Sequence, residues 1–459
     1  METIDLLRSG QLAGVKRLNL YGGLAQFPSE ILDLADSLEI LDLSDNCLKS
    51  LPDEFAQLKK LKIVFFNNNA FEEVPEILSQ CPNLYMVGFK SNQIRAFAEN
   101  ALSPTVRWLI LTNNRLEQLP RSIGKLTNLQ KLMLAGNKLR SLPHEMALCR
   151  SLELIRLAAN RLEALPDWLF TLPRLSWLAY SGNPFCDAIP VKERSLPHVD
   201  WAELTLGETL GQGASGVISK GTWAMEQGAT GQPQEVAIKI FKGEITSDGL
   251  PADEMRACIA AGSHENLVGL LGKVINHPEA TGLVLPLVSP DYRNLGKPPD
   301  FDSCTRDTYS PDTAFSVPMI LRIAQGIAAA AAHLHSRGIM HSDLYAHNIL
   351  VNEAGHSLLG DFGAASFYDL SSSGQAIERL EVRAFGCLLE DLLDHCKPGD
   401  AFSQAESPIS SPINFPISSQ AGAIASLRGL QQDCMNPVPS MRPLFIQICE
   451  ILVTIEQKL

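Results

Sequence analysis

Four groups of residues in the second half of this 459-residue chain have the types and spacing needed to handle a phosphorylated ligand. The first is Leu210-Gly211-Gln212-Gly213-Ala214-Ser215-Gly216-Val217-Ile218. With no side chains at Gly211, Gly213 and Gly216, backbone N–H groups can approach phosphate oxygens. Alone, such a turn is a weak signal, because loop glycines are common. The second group is Val236-Ala237-Ile238-Lys239. A lysine within an apolar strand either lies on a wet face or must be paired, here with a carboxylate and a ligand phosphate. Asp253 and Glu254 both offer the carboxylate, and Glu254 is favoured because it opens the apolar pattern of Met255, Cys258 and Ile259. The third group runs from His341 through Ser342 and Asp343 to Asn348, and the fourth is Asp361-Phe362-Gly363. A single aspartate in a polar loop is usually a turn residue, but turns do not account for four such groups in this order.

The elements that must position these residues follow from the patterning. The alternating Leu204 and Leu206 predict a strand before the glycine turn, and Val217-Ile218 a strand after it. Lys239 belongs to a third strand. On these motifs residues 204–459 resemble a eukaryotic-type protein kinase domain, a two-lobed α+β fold. The resemblance implies ATP and Mg²⁺ as cofactors. Leu210, Gly211, Gly213, Gly216 and Ile218 would then cover the nucleotide, with Leu285 as gatekeeper beside the adenine. Lys239 would grip the α- and β-phosphates and pair with Glu254, and Asp343 would orient the attacking hydroxyl and take its proton. Asn348 and Asp361 would hold Mg²⁺, a hard cation suited to their oxygens. The run Glu381 to Gly386 resembles the central buried helix of that fold.

The chain also departs from the family pattern. Ser342 stands where an arginine usually precedes the catalytic aspartate, so switching by loop phosphorylation is disfavoured. Tyr345 and His347 stand at positions where kinases carry a lysine or an arginine, which implies less transition-state charge stabilisation. The stretch from Asp361 to Glu381 is short and lacks Ala-Pro-Glu, which weakens the expected peptide platform. Two Pro-rich insertions, Gly296 to Val317 and Lys397 to Gln420, are expected to be mobile surface loops.

The N-terminal part of the chain, through Phe185, carries a different signal. Asn46, Asn69, Asn92, Asn114, Asn137, Asn160 and Asn183 recur with a period of about 23 residues within LxxLxLxxNxL patterns, and an imperfect copy leads with Leu18, Leu20 and Gly23. Each unit predicts a short strand, an Asn-stabilised turn and a Leu-Pro step across the back, and none buries its apolar edge alone. This region resembles the intracellular leucine-rich repeats, an α/β solenoid with parallel strands on its concave face. The expected boundaries are repeats over 1–185, a linker over 186–203 and the second domain over 204–459. Concave positions such as Glu39, Asp42, Lys62, Arg107, Lys131, Glu153, Arg156 and Ser176 are chemically mixed.

Composition sets the remaining limits. Net charge is 38 − 51 = −13, which disfavours nucleic acid or an anionic membrane as partner. The N-terminus lacks a signal-peptide pattern, no uninterrupted apolar run is long enough to span a bilayer, and ten scattered cysteines without CxxC point to a reducing, cytoplasmic setting. The combined expectation is a protein kinase, Ser/Thr in preference to Tyr, that transfers the γ-phosphate of Mg-ATP to a protein hydroxyl while the repeats recruit a protein partner or substrate. The departures keep two alternatives: a nucleotide-binding pseudokinase or adaptor, and a small-molecule acceptor. Oligomeric state is not specified.

Overall fold

The computed structural model describes residues 3–189, 195–213, 215–224, 233–243, 245–371, 374–397 and 417–459. It divides into two compact units. One comprises Met1–Ala188 with Glu244–Leu250, and the other Ile189–Gly243 with Pro251–Leu459.

In the first unit, eight three-residue strands form one parallel sheet in chain order. They are β1 (Arg17–Asn19), β2 (Ile40–Asp42), β3 (Ile63–Phe65), β4 (Met86–Gly88), β5 (Trp108–Ile110), β6 (Lys131–Met133), β7 (Leu154–Arg156) and β8 (Trp177–Ala179). The imperfect leading copy thus supplies β1, with Leu18 and Leu20 buried. The recurring asparagines act as backbone substitutes. Asn137 Nδ2 donates to the Leu111 and Leu134 carbonyls at 2.8 and 2.9 Å, and its Oδ1 accepts from Leu116 N–H at 3.0 Å. Each amide therefore ties its own turn to the preceding coil. The residue before each asparagine takes a left-handed φ: Asp45, Asn68, Ser91, Asn113, Gly136, Ala159 and Gly182 lie between 52° and 71°. Glycine, Asn and Asp are favoured there for that reason. On the back, Pro52, Pro75, Pro120, Pro143 and Pro166 each precede a 3₁₀ turn, their fixed φ setting its entry.

The second unit opens with a six-stranded sheet ordered β9-β13-β14-β12-β11-β10. Its strands are β9 (His198–Asp200), β10 (Leu204–Gln212), β11 (Gly216–Trp223), β12 (Gln234–Phe241), β13 (Gly272–Ile275) and β14 (Gly282–Pro286). β9 comes from the stretch expected to be linker and pairs in parallel with β13. Helix α1 (Pro251–Ala261) follows β12. The rest is mainly helical: α2 (Val317–His335), α3 (Gly374–Asp394), α4 (Ile417–Cys434) and α5 (Phe445–Glu456), with a hairpin of β15 (Ile349–Val351) and β16 (Ser357–Leu359). α2 packs against α5 and α3. By length and composition α2 is apolar enough to cross a membrane, but here its isoleucines and most of its alanines are buried in the unit's interior.

The first Pro-rich insertion does not behave as a mobile loop. Arg306 within it donates to Glu390 Oε2 at 2.6 Å and also pairs with Asp391, while Cys304 and Thr305 are buried. Two ion pairs and a buried anchor outweigh the turn-forming composition. Most of the second insertion, and Ser372 and Ser373, lie outside the described residues.

Candidate active site

Strand register places the second unit's key lysine. β12 lies between β11 and β14, with Lys239 opposite Ile218 on one side and Leu283 on the other, and Ala237 opposite Leu285. Lys239 pairs with Glu254 in the first turn of α1, both side chains being nearly buried. Of the two candidate carboxylates, Glu254 is the one seen paired with Lys239. Burial, the largest influence, pulls the Lys239 pKa down, but the charges of Glu254 and Asp361 outweigh it and hold the ammonium above its ordinary value.

A hairpin brings the next two residues together. Ile349 pairs with Leu359 across β15 and β16, so Asn348 and Gly360 face each other at its open end, and Gly360 N–H donates to Asn348 O at 3.0 Å. Asp361 follows immediately, with φ 55°, and its Oδ1 accepts from Gly363 N–H at 3.1 Å. Asn348 Nδ2 donates to the Asp343 carbonyl at 2.9 Å and to Asp343 Oδ2 at 2.7 Å. Its amide oxygen is on the other branch of that group.

The turn before Asp343 is held from below by α3. Glu381, fully buried, accepts from Ser342 N–H at 2.6 Å, His341 N–H at 3.1 Å and His335 Nε2 at 2.8 Å. Ser342 sits at φ 67°, which this carboxylate enforces. His341 Nε2 also lies 2.9 Å from Gly360 O, joining the two halves of the site.

A cavity of about 680 Å³ unites Leu210, Ile218, Lys239, Glu254, Leu285, Asn348 and Asp361 on one surface. It is the size of a small-molecule site, with apolar walls and a few convergent charges. Asp343 is joined to it through Asn348. Of the glycines, Gly211 and Gly213 have open space where a Cβ would point, whereas a Cβ at Gly216 would come 2.4 Å from Ile240 O. Gly216 is therefore required by the pairing of β11 with β12. Among the described residues no group of three or more His, Cys, Asp or Glu side chains forms a metal cluster. The hard oxygens of Asn348 and Asp361, both at the hairpin mouth, suit Mg²⁺ held partly by a ligand's phosphates.

One site residue had no sequence signal. Asp307, from the first insertion, accepts from Ala346 N–H at 2.5 Å and meets His347 Nδ1 at 2.6 Å. Burial, the largest influence, lowers the His347 pKa, but the Asp307 hydrogen bond and the charges of Asp307, Asp343 and Asp361 outweigh it and raise it above the ordinary value. At position 347, expected to be neutral, the carboxylate neighbours thus favour protonation more than a free imidazole would have it. The two partners are far apart along the chain, and a Pro/Asp/Ser-rich stretch gives no hint of their meeting.

Residues 204–384 match the family model described as protein tyrosine and serine/threonine kinase. Residues 37–58, 104–162 and 127–185 match leucine-rich repeat models. The chain is 25% identical over 311 residues to fibroblast growth factor receptor 1 of Xenopus laevis, covering 60% of this chain and 38% of the receptor. It is 27% identical over 271 residues to megakaryocyte-associated tyrosine-protein kinase of Mus musculus, covering 55% of this chain and 49% of that protein. The chain thus spans between about two-fifths and half the length of these curated relatives.

Proposed function

This chain joins a run of leucine-rich repeats to a protein kinase domain, and from that premise we propose that it transfers the γ-phosphate of ATP to a protein hydroxyl, with the repeats recruiting the protein that receives or controls it. The observation that carries the reading is the convergence of Lys239, Glu254, Asn348 and Asp361 on one cavity. Mg²⁺ at this site would supply positive charge against the triphosphate. Asn348 and Asp361 would hold it, and the hairpin fixes their separation. Lys239, kept charged and oriented by Glu254, would pair with the α- and β-phosphates. Leu210, Ile218 and Leu285 would enclose the base, and the glycine turn would close over the phosphates. Asp343, oriented by Asn348, would accept the proton of the attacking hydroxyl. His347, clamped by Asp307, would stand beside Asn348 in the same loop.

A serine or threonine acceptor is our preference over tyrosine, although one relative is named a tyrosine-protein kinase and another a growth factor receptor. The ten free cysteines suit a reducing, cytoplasmic setting. The decisive experiment compares wild type with Asp343→Asn in a labelled-ATP transfer assay. Transfer should drop by about 10²–10⁴-fold, the usual worth of a positioned proton acceptor, while nucleotide affinity stays within a few-fold. Equal transfer by both proteins would remove Asp343 from the mechanism.

A second reading, a nucleotide-binding scaffold, draws on one specific observation. α3 begins at Gly374, leaving few residues after Asp361 to seat a peptide. Nucleotide binding without transfer to any protein would establish that reading and displace the first.

A further inference from the structure

The chain leaves the second unit after Gly243 and returns at Pro251, and the residues between, Glu244–Leu250, belong to the repeat unit. Their seat is on the concave strand face. Strand register aligns Asn19, Asp42, Phe65, Gly88, Ile110, Met133, Arg156 and Ala179 in one column across the eight strands. Arg156 is the sole cation in that column, and its side chain is only 2% exposed. Its Nε lies 2.8 Å from Asp248 Oδ1. One coil earlier, Ile245 presses against Gly136, where an added Cβ would come 3.0 Å from Ile245 Cγ2. Five of the other coils carry Asp, Asn, Ser or Ala at this left-handed position, so the close approach of Ile245, and not φ alone, distinguishes Gly136. Between these anchors the segment is a closed turn. Thr246 Oγ1 accepts from Asp248 N–H and Gly249 N–H, each at 3.1 Å, which presents Ile245 and Asp248 together.

We infer that the concave face around Arg156 and Gly136 is a recognition site for an aliphatic residue followed three positions later by an aspartate, that residues 245–248 are its resident occupant, and that this seating steadies the helix bearing Glu254. The burial of Arg156 makes the site selective: an enclosed guanidinium favours an acid at this position, and a neutral peptide forfeits that charge-assisted bond. The link to the helix is covalent and short. Leu250 is followed directly by α1, whose first turn supplies Glu254 to Lys239. A protein presenting the same Ile-x-x-Asp chemistry would displace the segment and loosen that turn. The functional consequence rests on the phosphotransfer reading, but the seating itself does not.

The test uses the full chain and two substitutions, Asp248→Asn and Ile245→Ser, outside the cavity. Amide hydrogen exchange is followed in α1 and, as a fold control, in β5. Each substitution should speed exchange in the first turns of α1 by about 10-fold or more, the weight of one charge-assisted hydrogen bond, with β5 unchanged. Labelled-ATP transfer should fall in parallel. Exchange in α1 within twofold of wild type for both variants would overturn the inference. If the variants show the exchange change while the wild-type protein transfers no phosphate, the kinase reading fails and the seating stands.

Discussion

Ser342 and Asp361 both hold left-handed backbone, at φ 67° and 55°, and neither is glycine. Such conformations cost about 1–3 kcal/mol each and persist only where surrounding contacts impose them. For Ser342 the contact is Glu381. Burial, the largest influence, pushes the Glu381 pKa up, but the His335 hydrogen bond, the charges of His335 and His341 and the Ser342 N–H outweigh it and hold the carboxyl below its ordinary value. Removing the side chain in Glu381→Ala leaves His335 and two backbone donors buried without it, and should cost about 3–5 kcal/mol in urea unfolding. The pH dependence has a definite sign. A carboxyl with a depressed folded pKa contributes stability above its unfolded value, here about 4.5, and loses it as pH falls further. Unfolding free energy should therefore decline below about pH 4.5 in wild type and decline less steeply in Glu381→Gln. Parallel curves for the two would remove Glu381 as the source.

At the level of elements, two devices recur. In the repeats it is the asparagine that hydrogen-bonds its own turn and the preceding coil. Asn137→Ala leaves the Leu111 and Leu134 carbonyls and the Leu116 N–H buried without that partner, and should destabilise the repeat unit by about 2–4 kcal/mol. Asn128, exposed and bonded only to Pro104 O among its described contacts, should tolerate alanine at a cost under about 1 kcal/mol. Denaturant midpoints of the two variants, measured side by side, decide whether the ladder or general polarity matters. In the second unit the device is the β15–β16 hairpin, whose register turns a sequence spacing into a facing pair. The interval between Asn348 and Asp361 is the length of two short strands and their turn, which is why that spacing along the chain was informative by itself.

For the whole molecule, the division into two units predicts more than one heat-absorption transition. Mg-ATP at about 100 times its Kd stabilises the folded site by about 2.7 kcal/mol. For a unit of roughly this size that corresponds to about 5–10 °C in one transition, read by scanning calorimetry with and without Mg-ATP. If no transition moves, the cavity does not take the nucleotide. The repeat unit being discontinuous in sequence, with Glu244–Leu250 counted in it, also means that a boundary drawn at 204 separates residues that the fold keeps together.

The sequence alone determined whatever depends on local period and short spacing. Leucines and asparagines returning at one steady period dictate a stacked solenoid, because no coil can bury its edge by itself. Lys239 within an apolar strand, and Asn348 and Asp361 a hairpin apart, were legible for the same reason. Tertiary structure alone decided which of Asp253 and Glu254 meets Lys239, that Asp307 clamps His347, that Gly216 serves strand pairing, and that Asp248 finds Arg156. Each of these joins residues 15 to 92 positions apart, or depends on backbone approaches that only packing sets. A buried charge accepts whichever partner the fold delivers to it, and pattern along the chain does not record that delivery.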